Sequence, residues 1–82
     1  MTSNDEITET ILRLAAEHGG GTSFSPSDVA RALAENWRPL LTRVRNSAQR
    51  LSEAQRIDIL RHGKVVAPEA MRGVIRLRLK TA

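Results

Sequence analysis

The sequence has no cysteine and no tyrosine, a single tryptophan (Trp37), a single phenylalanine (Phe24) and only two histidines, His18 and His62. Without thiols, neither a disulfide nor a thiolate metal site can hold the fold together. Two aromatic platforms are too few for the successive base stacking that single-strand binders use. Apolar runs extend over only a few residues, far short of the roughly 20 that a membrane-spanning helix needs. The first ten residues, "MTSNDEITET", are acidic and hold no apolar stretch, so no signal peptide is expected and a cytoplasmic location is.

The chemistry of catalysis is equally sparse. No serine stands in a Gly-x-Ser-x-Gly setting, and no His/Asp/Glu pair has convincing metal-ligand spacing. Glu6, Glu9 and Glu17 fall on the first helix, where they read as solvated surface and partners of the helix dipole. The expectation is a chain with no catalytic residue, no metal and no cofactor. At 82 residues it suits one domain spanning 1–82, and a chain of this size buries only about two-thirds of its unfolded surface.

What the sequence does have is basic charge, unevenly placed. Residues 1–37 carry Arg13 and Arg31 against Asp5, Glu6, Glu9, Glu17, Asp28 and Glu35, a net of −4. Residues 38–82 carry eleven basic groups against Glu53, Asp58 and Glu69, a net of +8. Such a dipole along the chain points to a polyanionic partner for the second half.

Apolar spacing places the elements. Ile7, Ile11, Leu14 and Ala15 make one stripe of a helix over about 4–18, capped by Ser3 or Asn4. Gly19, Gly20 and Gly21 end it. These glycines follow a helix and precede no Gly-Lys-Ser/Thr, so they are a chain break and not a phosphate loop. In "FSPSDVARAL", Ser25 is a cap, Pro26 suits the first helical position and Asp28 completes an acidic capping box. That helix covers about 26–35, with Val29, Ala30 and Leu33 inward. Thr22 to Phe24 is a brief extended segment, and Phe24 is placed to staple onto Val29.

A third helix covers about 37–53, with Asn36 as its cap and Pro39 in its first turn. Trp37, Leu41, Val44, Ala48 and Leu51 gather within about 80° of arc. The opposite side carries Thr42, Asn46, Gln49, Arg50 and Glu53, flanked by Arg38, Arg43 and Arg45. Strands follow at about 56–61 and 74–80, the second alternating Ile75, Leu77, Leu79 with Arg76, Arg78, Lys80. The intervening 62–73, with Gly63, Pro68 and Gly73, reads as one long turn.

Helix, extended segment, helix, helix, strand, long turn, strand is the element order of a winged helix, an α+β fold with a helix-turn-helix core and a β-hairpin wing. The motifs "SPSDVARAL", Trp37–Arg38, Val44–Arg45, "RHGKVV" (61–66) and "RGVIRLRL" (72–79) resemble a small bacterial winged-helix family of uncharacterised proteins, over about Ile7 to Lys80. The resemblance implies the fold and no activity, so function must be argued from the residues.

Two functions suit that scaffold. In the first, the third helix enters the major groove of duplex DNA, as in a transcriptional regulator. Asn46 and Gln49 would face adenine edges, and Arg45 or Arg50 guanine, with Thr42 on the same face. Arg38 and Arg43 would hold phosphates, and Arg61, His62, Lys64 and Arg72 of the wing would lie along the backbone or in the minor groove. Glu53 marks where phosphate contact ends, and Glu35 is placed to pair with Arg31 or Arg45. In the second, the scaffold is a protein-docking module that binds no nucleic acid, since no segment supplies the dimer interface that a two-fold operator calls for. A membrane partner is not expected. A continuous basic patch joining the third helix to the wing favours the first function. An apolar outer sheet face favours the second.

Overall fold

The computed structural model describes residues 2–81. It is an α+β arrangement in which three helices precede a small antiparallel sheet: α1 (Asn4–His18), α2 (Pro26–Leu33), α3 (Leu41–Glu53), then β1 (Ile57–Arg61), β2 (Lys64–Val66) and β3 (Arg76–Leu79).

Two capping boxes start the first two helices. The Ser3 hydroxyl accepts from the Glu6 amide at 3.1 Å while Glu6 Oε1 accepts from the Ser3 amide at 3.2 Å. Ser25 and Asp28 exchange the same pair of bonds at 3.1 and 3.0 Å. Each box satisfies amides that the helix itself leaves without acceptors. The backbone hydrogen bond from Ser25 holds the Asp28 carboxyl below its ordinary 3.8; burial opposes this in part, and the Ser25 hydroxyl, Arg76 and Arg31 add to the lowering. Gly19, at φ +72°, ends α1 and donates its amide to the Ala15 carbonyl.

Three boundaries differ from those expected from sequence. α2 stops at Leu33, not 35, because Ala34 turns to an extended backbone (φ −160°, ψ 152°). Glu35 is therefore off the helix, and it makes no ion pair with Arg31. The third helix proper begins at Leu41, preceded by a 3₁₀ turn over Arg38–Leu40. Pro39 disfavours the α conformation at the residue before it and donates no amide hydrogen bond, which suits the tighter turn. Asn36 is not a cap: Trp37 precedes that turn, and no side chain caps it.

The third difference lies in the long turn. Residues 64–66 are a strand, antiparallel to β1, with Arg61 opposite Lys64 and Ile59 opposite Val66. The connection is two residues long, His62 at φ +53° and Gly63 at φ +79°, as a type I′ hairpin requires. The loop that leads into β3 is thereby shortened to 67–75, with a 3₁₀ turn at Pro68–Ala70. Sheet order is β2-β1-β3, and β3 begins at Arg76, leaving Val74 and Ile75 outside the strand.

All three helices and the sheet share one core. Ile7, Ile11 and Ala15 of α1 meet Val29 and Ala30 of α2, Val44, Ala48 and Leu51 of α3, and Ile57, Ile59, Ile75 and Leu77 from the sheet side. Phe24 sits at its centre, fully buried, and its backbone forms an isolated bridge with Leu77: amide to carbonyl at 2.8 Å one way and 2.7 Å the other. Leu14, Leu33, Trp37 and Leu41, expected inside, pack at the edge of the core and are only partly buried.

Two results follow. Phe24→Ala removes the largest buried side chain and should destabilise by about 3–5 kcal/mol, whereas Val65→Ala at an exposed position should change stability by less than about 0.5 kcal/mol; urea unfolding compares them. Because the Asp28 pKa is depressed in the folded state, its contribution is complete above the unfolded value of 3.8 and is lost as pH falls through the lowered one. The stability gap between wild type and Asp28→Asn should therefore close between about pH 5 and about pH 2, read from unfolding midpoints.

Candidate nucleic-acid interface

α3 buries Val44, Ser47, Ala48 and Leu51, so its opposite side is the one turned to solvent. Thr42, Asn46 and Arg50 are exposed there, and Arg45 and Gln49 are half-buried at its border. Ser47, read from sequence as neither inward nor outward, is nearly inaccessible at 2%. Its small side chain allows close packing where a larger polar one could not.

The two arginines flanking this face are tethers. Arg45 Nη1 donates to the Gly73 carbonyl at 3.0 Å, which brings the loop 67–75 beside this border of α3. Arg43, on the opposite flank, donates through Nε and Nη2 to Asn4 Oδ1 (3.3 and 2.9 Å) and through Nη2 to the Thr2 carbonyl (2.9 Å). Arg43 thus ties α3 to the start of α1. Most of its donors are spent within the chain.

Beyond Arg45 lie further cations on the hairpin and the loop. Arg61, His62 and Arg72 line a shallow depression together with Gly73 and Val74. A second depression, between Ser25, Ser27, Leu41, Arg45 and Gly73–Ile75, joins α3 and the start of α2 to the loop. Val74, 88% exposed, borders both. Lys64 stands directly opposite Arg61 across the hairpin, a like-charge pairing that disfavours the isolated strand pair.

Ion pairs fall elsewhere. Asp58 takes Arg78 at 3.2 Å and Lys80 at 3.5 Å on the outer sheet face, and Arg13 reaches Glu17 at 4.0 Å on α1. Arg76 donates to the Ser23 hydroxyl at 2.7 Å and to its carbonyl at 3.0 Å, reinforcing the Phe24 bridge next to it. Among the described residues, Arg50, Arg61, Lys64 and Arg72 have no intramolecular carboxylate partner. Arg45 does not pair with Glu35, its bond being to Gly73.

Arg38 stands at the turn before α3, its guanidinium carbon 4.7 Å from the centroid of the Trp37 ring, and Arg31 of α2 stacks on the same ring at 4.7 Å. Arg31 was not among the binding residues expected from sequence; its place beside Trp37 depends on where α2 stops. The two histidines are far apart in role: His18 stacks on Phe24 with centroids 5.3 Å apart, and His62 forms the hairpin turn. Among the described residues no group of three His, Asp or Glu side chains is arranged to hold a metal ion, and no helix is long and apolar enough to cross a membrane.

The arrangement defines a small α+β protein in which the solvent-facing side of α3 adjoins the 67–75 loop, with Arg61, His62 and Arg72 beyond it. The chain belongs to the family described as protein of unknown function (DUF3253), whose profile matches residues 4–80. Comparison with curated proteins finds no match.

Proposed function

We propose that this chain is a winged-helix domain of the cytoplasm that binds duplex DNA, in a role such as transcriptional regulation, and acts by binding and not by catalysis. α3 is the recognition helix and the 67–75 loop, with the His62–Gly63 hairpin beside it, is the wing. The element order supports this reading, with Phe24, β3 and β1 as the three neighbouring sheet segments and α2 and α3 as the helix-turn-helix pair.

The observation that carries the binding is the split between two populations of cations. On the outer sheet face Arg78 and Lys80 share the Asp58 carboxylate, whereas Arg50, Arg61, Lys64 and Arg72 on the α3 and wing surface have no acidic partner among the described residues. A surface that keeps Arg61 opposite Lys64 and leaves Arg50 and Arg72 unpaired is suited to a polyanion. Thr42, Asn46, Gln49 and Arg50 then meet base edges, with Arg45 at the border. Arg38 holds phosphate before the helix, and Arg61, His62, Lys64 and Arg72 hold it along the wing. Arg43, bound to Asn4 and Thr2, serves to orient the helix more than to touch DNA.

A second reading rests on Val74 and Val65, the two large apolar side chains most open to solvent at 88% and 56%. They would anchor a protein partner instead. The charged pairing of Asp58 with Arg78 and Lys80 breaks up the outer sheet face on which a broad apolar contact would lie, which favours DNA.

Fluorescence anisotropy against a random-sequence duplex tests the proposal. With five or six phosphate contacts, affinity should fall roughly a thousandfold between about 50 and about 200 mM salt. Arg45→Ala with Arg50→Ala should weaken binding by about tenfold or more. Arg50→Ala alone leaves the Arg45–Gly73 tether in place and so reports contact without loss of the wing's anchorage. Unchanged affinity in both variants would remove α3 from the interface, and no binding at the lower salt would transfer the lead to protein docking.

A further inference from the structure

Trp37 is held between α2 and α3 with two guanidinium groups against its ring, Arg31 and Arg38, each with its central carbon 4.7 Å from the ring centroid. Two like charges share one aromatic partner, and neither has a carboxylate within ion-pair distance among the described residues. Glu35 lies beyond the end of α2 and pairs with neither, and Asp28 acts on Arg31 only from beyond ion-pair distance. The indole attracts each cation but does not neutralise either, and of the two Asp28 acts on Arg31 alone, so an arriving anion relieves the repulsion between them.

Stacking also leaves the guanidinium donors available. The N–H groups lie in the guanidinium plane and point away from its face, so a guanidinium lying against the indole keeps its donor edge for an oxyanion. The ring restrains both side chains, which lowers the conformational entropy lost when they bind. The two guanidinium carbons are separated by at most twice their distance to the shared centroid. That bound is compatible with one arginine on each of two neighbouring phosphates along a strand.

We infer that Arg31, Trp37 and Arg38 form a preorganised clamp for the backbone phosphates of the duplex at the α2–α3 turn. This rests on the DNA-binding reading and extends it to Arg31 and Trp37. Arg31 comes from the acidic first part of the chain, and the fold brings it against the same ring as Arg38.

The single tryptophan makes the test direct. Titration of the full chain with a random duplex at about 50 mM salt should shift Trp37 emission, saturating together with anisotropy. Arg31→Gln and Arg38→Gln should each weaken duplex binding severalfold or more and reduce the steepness of the log–log salt plot by roughly 0.9. Trp37→Leu, which preserves net charge, should weaken binding by releasing both arginines; circular dichroism and urea unfolding verify that it is folded. Duplex binding that is lost on Arg50→Ala but unaffected by Arg31→Gln and Arg38→Gln, with Trp37 emission unmoved, overturns the clamp and leaves DNA binding intact. Wild-type protein that binds no duplex overturns both. A saturable Trp37 response to inorganic phosphate where the duplex produces none would assign the arginines to a free anion, and also overturns the clamp.

Discussion

The backbone bridge between Phe24 and Leu77 is the constraint on which the rest of the structure depends. It joins the residue just before the α2 cap to the last strand, across 53 positions of chain. Ser25, next to Phe24, starts α2, so the orientation of that helix is referred directly to the sheet. Leu77 follows the 67–75 loop by two residues, so the loop is referred to the same point. Burying Phe24 completely among the residues of α1, α2, α3 and the sheet joins hydrophobic burial to the two hydrogen bonds. Arg76, with both its bonds on Ser23, reinforces the junction from the outside.

From that anchor the positions of the cations follow. α3 packs one side on the shared core and is steadied at its two flanks, by Arg43 on the α1 start and by Arg45 on the loop at Gly73. Arg45 joins the helix and the loop, and Arg43 joins the helix to α1. Basic groups are therefore put to three uses. Some are structural tethers (Arg43, Arg45, Arg76), Arg78 and Lys80 share Asp58 on the outer sheet, and Arg50, Arg61, Lys64 and Arg72, around α3, the hairpin and the 67–75 loop, have no carboxylate partner among the described residues. Net charge alone does not separate these classes. Only the last is available to a polyanion.

Much of the fold was legible because its signals are local. The Ser25-Pro26-Ser27-Asp28 start of α2, the apolar stripe of α1, the inward row of α3 and the alternation through Leu77 each depend on spacing within one segment. The hairpin at His62–Gly63 was also local but was read as part of a longer turn. A non-glycine residue at positive φ, His62, is a weak sequence signal, so the tight turn is not announced by its first residue. The stop of α2 at Leu33 had no glycine to announce it, so a cap at Asn36 and an ion pair from Arg31 to Glu35 looked reasonable. For the candidate interface, the outward residues Thr42, Asn46 and Arg50 came from periodicity. The tethering of Arg43 to Asn4, of Arg45 to Gly73 and of Arg76 to Ser23 did not, because those partners are 28 to 53 residues away in sequence.

The claim that α3 and the 67–75 loop act as one DNA-binding surface is tested most directly by amide chemical-shift mapping of the full chain during titration with a random duplex. The account predicts the largest shifts at Thr42, Asn46, Gln49 and Arg50 together with Arg72 to Val74, and small ones at Asp58 and Arg78 on the outer sheet face. Shifts concentrated on Asp58, Arg78 and Val65, with α3 unmoved, would contradict it.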